Sequence, residues 1–514
     1  MRKAGSAHTR WLPPLAEVVF VSVLLWVLLG GQASVLLGDG DTGWHIRTGD
    51  YIRQERRFPT RDLFSFSRPG AEWFAWEWGS DVLFSLAHRA AGLKGVVLLA
   101  GVLIAATSAA LFQFLLWRGA NVIVAIVVMF AAGSASTIHW LARPHLFTYL
   151  LFLVSVWLLE LDRRSETKRV WAVAPLAALW TNLHGGFVVL LATLGVYAAG
   201  SVLESWRSPR PRPWRKARRY GWLTAAAAVA TLANPYTYHL HAHIWQYLNS
   251  SFIRDRVEEF QSPRFRGESM MVFELLLAAG LIAVPAVWRR REYATALLLL
   301  GLAHAALASV RHVLLYVVAA APVAAGELTR VIERSRGAWA EAIASLAADY
   351  APAARWRLRF PLWAAGSVAL AGTLLDSGPT RWRVEFPREK FPQAALAQVE
   401  ENIVGRRVFT SDQWGDYLIY HHYPGVRVFI DGRSDFYGPS IGQQYLEAQQ
   451  AHYRWEEIFA RYNFETVLVP PEWPLATVLK THSGWRVEYD DGQAVVLTKV
   501  GDRGRVDEEW KKPS

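Results

Sequence analysis

The sequence contains no cysteine, only 4 methionines and few charged residues. The absence of cysteine excludes disulfide bonds and thiolate chemistry. Charged residues make up 19% of the 514 residues, whereas roughly 25% is typical of soluble proteins. The chain is instead 52% hydrophobic, and its apolar residues are concentrated in long runs separated by polar segments. This pattern predicts helices that span a membrane and are joined by polar loops.

The chain carries a net charge of +11, which in other proteins often indicates binding to nucleic acid. Here most Lys and Arg residues fall in short loops between apolar runs, as the positive-inside rule requires of cytoplasmic loops. We therefore predict no nucleic-acid partner. The expected location is the plasma (inner) membrane, with the amino terminus in the cytoplasm.

The apolar runs predict about eleven membrane helices. With a cytoplasmic amino terminus, every strongly basic short loop lies on the cytoplasmic side. The amphipathic stretch 76–84 is predicted to lie in the interface, because placing it across the membrane would invert all later loops. The predicted spans are 11–37, 95–117, 120–140, 146–161, 170–182, 187–204, 220–233, 271–288, 293–309, 313–326 and 361–376.

Two domains follow from this pattern. Residues 1–376 form the predicted α-helical polytopic membrane domain, in which 38–93 are a large first extracytoplasmic loop that carries interfacial helices. Residues 377–514 are predicted to form a soluble, extracytoplasmic α/β domain. Its predicted strands are 407–410, 426–430, 466–469 and 494–497, and its predicted helices are 414–421 and 441–450.

On this topology, the isolated polar residues of the membrane region collect at the extracytoplasmic side. Such side chains are costly in lipid, so they normally face a polar cavity or one another. Each one alone also fits an ordinary interface residue, but a set that contains both acids and bases favours one shared site. The set comprises Asp39, Asp41, His45, Arg143, His145, His184, Asn234, Arg311 and His312.

The densest polar stretch lies directly after the first predicted helix. Residues 38–49 read Gly-Asp-Gly-Asp-Thr-Gly-Trp-His-Ile-Arg-Thr-Gly. Acids beside glycines can approach a ligand closely, while Asp41 or Thr42 would also suit the cap of an interfacial helix. With the stretch 76–84 as a second interfacial element, this large first loop resembles that of the GT-C membrane glycosyltransferases. That superfamily includes protein O-mannosyltransferases, lipid A aminoarabinose transferases and oligosaccharyltransferases.

The resemblance implies an enzyme that transfers a sugar from a polyprenyl-phosphate or polyprenyl-diphosphate donor to an acceptor hydroxyl. Transfer would occur on the extracytoplasmic side with inversion, and the acceptor could be a protein, a lipid or a glycan. Several of these families begin the loop element with an Asp-Glu pair, whereas Asp41 is followed by Thr42 here. This departure leaves open whether Asp39 or Asp41 is the catalytic carboxylate. We assign the base to Asp41, with Asp39 as its alternative.

The charge and position of the remaining residues predict their roles in the site. Arg143 and Arg311 are predicted to bind the donor phosphate, because the leaving group needs fixed cations. His145, His184 and His312 would donate hydrogen bonds to it, and His45 and Asn234 would orient the base or contact the acceptor.

The last predictions concern two segments of the tail and a possible metal site. Residues 411–417, which contain Trp414, resemble the Trp-Trp-Asp-Tyr-Gly acceptor motif of oligosaccharyltransferases, although packing of a small domain also explains this tryptophan. The segment 431–435 is interpreted as a structural turn with an Arg–Asp pair. No cofactor is required, but Asp39 and Asp41 could bind a divalent metal, Mg or Mn.

Two other functions remain open at this stage. A transporter or flippase for a lipid-linked or polar substrate would carry polar residues at mid-membrane, where only Glu274 and His304 lie within apolar runs. A non-enzymatic scaffold of the cell envelope would leave the acids of the first loop unexplained.

Overall fold

A computed structural model describes residues 13–207, 214–354, 361–376 and 384–501. These residues are mostly helical, with one small sheet near the carboxyl terminus. The helices before the tail are α1 (Leu15–Leu29), α2 (Asp41–Glu55), α3 (Trp78–Arg118), α4 (Val122–Ser136), α5 (His145–Ser165), α6 (Val173–Thr181), α7 (Phe187–Trp206), α8 (Arg215–Ala230), α9 (Tyr238–Asn249), α10 (Ser251–Arg256), α11 (Glu268–Arg289), α12 (Tyr293–Ala308), α13 (Val313–Arg334), α14 (Ala338–Ala354) and α15 (Leu362–Asp376).

In the described part of the chain, six helices are long and apolar enough to cross a membrane: α3, α4, α5, α7, α11 and α13, with α4 and α13 extended by a short turn. Helices α1, α12 and α15 are apolar but shorter. Helix α6 has only 9 residues, and a bilayer core requires about 20 residues of helix. Each predicted span contains a helix, although in the first, 11–37, the α-helix ends at Leu29, and the count of eleven is not confirmed.

Helix α3 contains a kink that divides it into two segments. Ala91 has a φ of −152°, and Gly92 has a φ of 61°, a left-handed value that favours glycine. The amphipathic stretch at the start of α3 is thus separated from the long apolar segment that follows. The sequence predicted this division, and the interfacial position of the first segment stays a prediction.

The tail forms a four-stranded mixed sheet with helices packed around it. Its strands are β1 (Val408–Thr410), β2 (Thr466–Val469), β3 (Trp485–Asp490) and β4 (Val495–Lys499), in the order β1-β2-β4-β3. Strands β1 and β2 are parallel, and the other two pairs are antiparallel. Its helices are α16 (Gln393–Val399), α17 (Asp412–His422), α18 (Ser434–Gln449), α19 (Trp455–Tyr462) and α20 (Pro474–Thr481).

The prediction of a strand at 426–430 is wrong. Only Val428 forms bridges there, one with β1 and one with Ser65 of the first loop. The apolar alternation of this segment therefore reflects burial between the tail and the loop rather than membership of the sheet. Residues 377–383 and 502–514 of the predicted domain lie outside the described residues.

Glycines of the first loop allow α2 to pack closely against α17 and α3. A Cβ atom on Gly43 would lie 2.6 Å from the Asp416 carbonyl oxygen, and one on Gly49 would lie 2.0 Å from the Asp81 carbonyl oxygen. Arg47 Nε also donates a hydrogen bond of 2.8 Å to the Tyr420 carbonyl oxygen. These contacts hold the tail on the first loop and bring the segment 431–435 beside Asp41.

Candidate active site

A cavity of about 580 Å³ lies between the membrane helices, the first loop and the tail. Its walls come from α2, the start of α3, the connections α4–α5, α6–α7 and α12–α13, helix α9, the segment 258–264 and the tail turn 432–435. Eight of the ten predicted site residues line it: Asp39, Asp41, His45, Arg143, His145, His184, Arg311 and His312.

Asn234 and Trp414 do not line the cavity. The Asn234 side chain closes a turn, because its Nδ2 donates to the Thr231 carbonyl oxygen at 2.8 Å and its Oδ1 accepts from the Tyr236 amide at 2.8 Å. Trp414 is 5% exposed, and its Nε1 donates to the Lys390 carbonyl oxygen at 2.7 Å. Both residues thus have structural contacts, and their predicted roles toward an acceptor stay predictions.

Arg143 is the centre of the acidic cluster in the cavity. Its Nη1 lies 2.9 Å from Asp39 Oδ2 and 2.5 Å from Glu259 Oε1, and its Nη2 lies 2.7 Å from Asp41 Oδ2. One guanidinium therefore faces three carboxylates. The excess of negative charge raises the pKa of Arg143 well above its usual value and keeps it cationic, although burial opposes this.

Asp41 is 5% exposed and is enclosed by the tail. A Cβ atom on Gly432 would lie 1.8 Å from Asp41 Oδ1 and 2.9 Å from Asp416 Oδ2, so only glycine fits between the two carboxyl groups. Burial raises the pKa of Asp41 to about 7, while the charge of Arg143 opposes the rise.

Arg311 lies on the other side of Glu259. Its Nη2 is 3.6 Å from Glu259 Oε2, and its guanidinium carbon lies 4.3 Å from the centre of the Phe260 ring. Arg143 and then Arg311 hold the pKa of Glu259 well below its usual range. A carboxylate thus occupies the space between the two arginines that were predicted to bind a phosphate.

Glu77 is a buried acid of the cavity that the sequence did not single out. Its Oε1 lies 3.4 Å from His184 Nε2, and its Oε2 lies 3.7 Å from His45 Nε2. Behind His45, Asp81 Oδ1 lies 2.6 Å from His45 Nδ1. Burial raises the pKa of Glu77 to about 8. The spacing of Glu77 and Asp81, four residues apart on an amphipathic stretch, was the signal that could have found them.

The tail contributes the turn 431–435 to the cavity wall. Arg433 lies 2.6 Å from Asp431 Oδ2, which supports the interpretation of this segment as a turn with an Arg–Asp pair. Arg433 also lies 2.8 Å from Asp62 Oδ1 of the first loop. Asp435 Oδ2 lies 2.8 Å from His243 Nε2 of α9. The turn therefore has a structural role and closes one side of the cavity.

The structure does not arrange the predicted metal ligands around a common point. No group of three or more His, Asp or Glu side chains in the described part of the chain could hold a metal ion. One oxygen each of Asp39 and Asp41 is bound to Arg143. A metal between these two acids would require Arg143 to move, and metal binding by Asp39 and Asp41 stays a prediction.

Comparison with known proteins identifies the fold. No protein-family model and no curated protein matches the sequence. Among solved structures, the apo oligosaccharyltransferase of Archaeoglobus fulgidus is similar, with a TM-score of 0.54 and 10% identity, over 95% of this chain and 74% of the archaeal chain. The fold is therefore of the GT-C type.

A second structure of the archaeal enzyme, AglB in complex with an inhibitory peptide and a dolichol-phosphate, gives a TM-score of 0.52 at 11% identity. This match covers 97% of the present chain and 75% of the archaeal chain. The GT-C-type fold and the apolar helices together suggest a multi-pass membrane protein.

Proposed function

We propose that this protein is a membrane glycosyltransferase that transfers a sugar from a polyprenyl-phosphate or polyprenyl-diphosphate donor to an acceptor hydroxyl on the extracytoplasmic side. The observation that carries the proposal is the pair Arg143 and Arg311, held in one cavity by the carboxylate of Glu259. An anion already lies between these two guanidinium groups. The same cavity contains buried carboxyl groups that can act as a base.

The donor phosphate would replace the Glu259 carboxylate between the arginines. Two guanidinium groups offer fixed donors for phosphate oxygens and stabilise the charge that develops as the phosphate leaves. The apolar chain of the donor needs an exit toward lipid, and Ile138 and Leu248, at 36% and 38% exposure, both line the cavity and reach the surface. The dolichol-phosphate bound to the similar AglB supports a lipid-linked donor.

The acceptor hydroxyl would attack the anomeric carbon from the face opposite the leaving phosphate, which inverts its configuration. Because phosphate is a good leaving group, one base is sufficient and no strong acid is needed. The base is a buried carboxylate of the cavity, for which the sequence indicates Asp41, with Asp39 as the alternative.

The proposal is tested by the turnover of a panel of donors: polyprenyl-phosphate and polyprenyl-diphosphate linked to mannose, glucose, galactose, N-acetylglucosamine or arabinose. The purified protein in detergent should release the polyprenyl carrier from at least one donor. Arg311→Ala and Asp41→Asn should each lower this release about 10²-fold or more. Asp50→Asn is the control, because Asp50 lies on α2 outside the cavity and bonds Ser85 at 2.6 Å.

Two results would contradict the proposal. Full activity of Arg311→Ala and of both Asp39→Asn and Asp41→Asn would separate the reaction from this cavity. Transfer of a labelled donor across a liposome membrane without any product would instead favour a flippase.

A further inference from the structure

Four side chains form a path that starts at the cavity, with neighbouring polar atoms 2.6–3.7 Å apart. The path runs from His184 through Glu77 and His45 to Asp81. Its members come from the α6–α7 turn, the start of α3 and helix α2. Glu77, His45 and Asp81 all line the cavity, and their exposed fractions are 7%, 1% and 0%. The path therefore starts at groups that a substrate can reach and ends at a carboxyl group that is closed to bulk solvent.

The tautomer of His184 follows from its neighbours. Its Nδ1 accepts the Gly186 amide hydrogen at 2.9 Å. Thr148 Oγ1 accepts from Trp180 Nε1 at 2.8 Å, which leaves the Thr148 hydroxyl hydrogen for His184 Nδ1, also at 2.8 Å. Two donors therefore face Nδ1, so this nitrogen carries no hydrogen. In neutral His184 the hydrogen is on Nε2, which faces Glu77 Oε1.

His45 connects Glu77 to Asp81 in two complementary arrangements. In the first, Asp81 is ionised and accepts the Nδ1 hydrogen, while Glu77 is protonated and faces the free Nε2. In the second, Asp81 carries the proton and donates it to Nδ1, while His45 Nε2–H faces an ionised Glu77. Burial lowers the pKa of His45, so the imidazole remains neutral in both arrangements. The two differ only by the shift of two protons along the path.

We propose that Glu77 is the catalytic base of the transfer reaction, and that His45 and Asp81 are positioning residues that generate its ionised form by taking its proton into the buried end of the path. This inference rests on the proposed function and selects Glu77 in place of Asp41. In the step, the acceptor O–H bond breaks and its proton goes to the Glu77 carboxylate. The acceptor oxygen bonds to the anomeric carbon as the bond from that carbon to the phosphate oxygen breaks, and the phosphate leaves with the electron pair of that bond.

Geometry favours Glu77 over Asp41 as the proton acceptor. Asp41 Oδ2 is bound to Arg143 at 2.7 Å, and its Oδ1 faces Gly432 with no room for a methyl group. A guanidinium in contact stabilises the ionised carboxylate and weakens it as a base. The contacts of Glu77 are two imidazoles at 3.4 Å and 3.7 Å, so its oxygens can turn toward a substrate hydroxyl. Asp41 then serves to hold Arg143 in place.

The test compares donor turnover in Glu77→Gln, Asp41→Asn and Asp81→Asn, using the donor panel described above. Binding of the same donors is measured by thermal shift. Glu77→Gln should lower turnover 10²–10⁴-fold with donor binding unchanged. Asn at position 81 can still accept the His45 hydrogen but cannot take up a proton, so turnover should fall about 10-fold or more. Asp50→Asn is the matched control, because it lies at the same α2–α3 interface and does not line the cavity.

A pH profile separates this role from a purely structural one. The rate should rise with pH as Glu77 ionises, and the rising limb should move to higher pH in Asp81→Asn, because Glu77 can then lose its proton only to solvent and no longer to Asp81. A variant that only disturbs packing would lower the rate without moving the limb. The groups that act on Glu77 are His45, His184, Asp81, Arg143, Arg311, Asp41 and Asp435.

The outcomes distinguish the two proposals. Wild-type turnover together with an equally active Glu77→Gln variant would overturn the assignment of the base and leave the glycosyltransferase proposal intact. If Glu77→Gln has lost donor binding, Glu77→Asp should restore binding with reduced turnover, and failure of both would make Glu77 a structural residue. No turnover of any donor by the wild type would overturn both proposals.

Discussion

Two clusters of buried charge lie at opposite ends of the helical bundle, and they differ in how completely they are paired. The first joins the ends of α3 and α5 to the start of α12. Arg118 lies 2.9 Å from Glu160 and 2.5 Å from Glu292, and Arg163 lies 2.9 Å from Glu160 and 3.0 Å from Glu292. Tyr197 also donates a hydrogen bond of 2.8 Å to Glu160. Arg290 also lies 3.1 Å from Glu292, so each carboxylate of this hydrogen-bonded cluster has at least two cationic partners.

The second cluster is the cavity, where pairing is incomplete. Arg143 faces three carboxylates, and buried polar atoms of the described cavity residues lack a hydrogen-bond partner. These atoms are Asp41 Oδ1, Trp44 Nε1, Trp73 Nε1, Asp81 Oδ2, His312 Nδ1 and Arg433 Nη1. Helix α5 begins at one cluster with His145 and reaches the other at Glu160, about 22 Å away along a helix that rises 1.5 Å per residue. A cluster in which every buried charge has a partner is typical of a structural role. A cluster in which buried polar atoms lack partners is typical of a site that binds a ligand.

The largest effect should come from breaking the paired cluster. Arg118→Met leaves Glu160 and Glu292 with less compensation in a buried position and should lower the free energy of unfolding by about 3–5 kcal/mol. Thermal unfolding in detergent measures the loss. The control is Arg388→Met, because Arg388 is exposed and pairs with Glu385 at 3.7 Å, outside this cluster. Equal stability of both variants would show that the cluster does not hold the bundle together.

The next effect concerns the unpaired cluster. Arg143→Ala should lower donor turnover 10²–10³-fold, because it removes a cation that would face the leaving phosphate. It should cost less stability than Arg118→Met, since Glu259 keeps Arg311 at 3.6 Å and Asp41, whose pKa is raised to about 7, can take up a proton. Arg254→Ala serves as the control, because Arg254 is exposed on α10 and does not line the cavity. An unfolded Arg143→Ala protein would remove the distinction between the two clusters.

A smaller effect is expected at the contact between the tail and Asp41. Gly432→Ala would place a methyl group 1.8 Å from Asp41 Oδ1, so Asp41 or the turn must move. A displacement of about 1 Å in an active site can cost about 10²-fold in rate, and donor turnover would measure it. Gly195→Ala is the control, because a methyl group there meets no atom within 4 Å. Unchanged turnover would show that the tail does not position Asp41.

The smallest effect is a pH-dependent gain in stability. Glu77 has a pKa of about 8 in the folded protein and 4.5 as its ordinary value. The native state therefore binds more protons between these pH values, and wild-type stability falls as pH rises through this range. Glu77→Gln removes that dependence, so its melting temperature relative to wild type should be higher at pH 8 than at pH 5. A melting-temperature difference between variant and wild type that is the same at pH 5 and pH 8 would contradict this expectation.

The charge of the loops and the free-energy cost of polar side chains in lipid were enough to predict many of the cavity residues from the sequence. Asp41, Arg143 and Arg311 lie on three separated segments, and the assumption of a common side was enough to group them. The structure places all three in one cavity. This success has a physical origin, because charged residues beside apolar helices must face water, a cavity or one another.

The site residues that the sequence did not predict depend on side-chain orientations, which the periodicity of the sequence does not give. Glu77 and Asp81 lie in a stretch whose tryptophans indicated an interface, and their orientation toward His45 follows from the close approach of α2 to α3. Glu259 lies in a polar connection and acquires its position only through two arginines that are distant in sequence. Trp414 and Asn234 were chosen by residue type, and their contacts are those of a small domain core and a turn.

The close packing of Gly43 against α17 has a practical consequence for engineering. Exchange of the tail with that of a related enzyme would bring a different helix against α2, whose surface is shaped to this partner. In a working chimera, α2 should therefore be exchanged together with the tail, so that both sides of the contact between α2 and α17 come from the same enzyme.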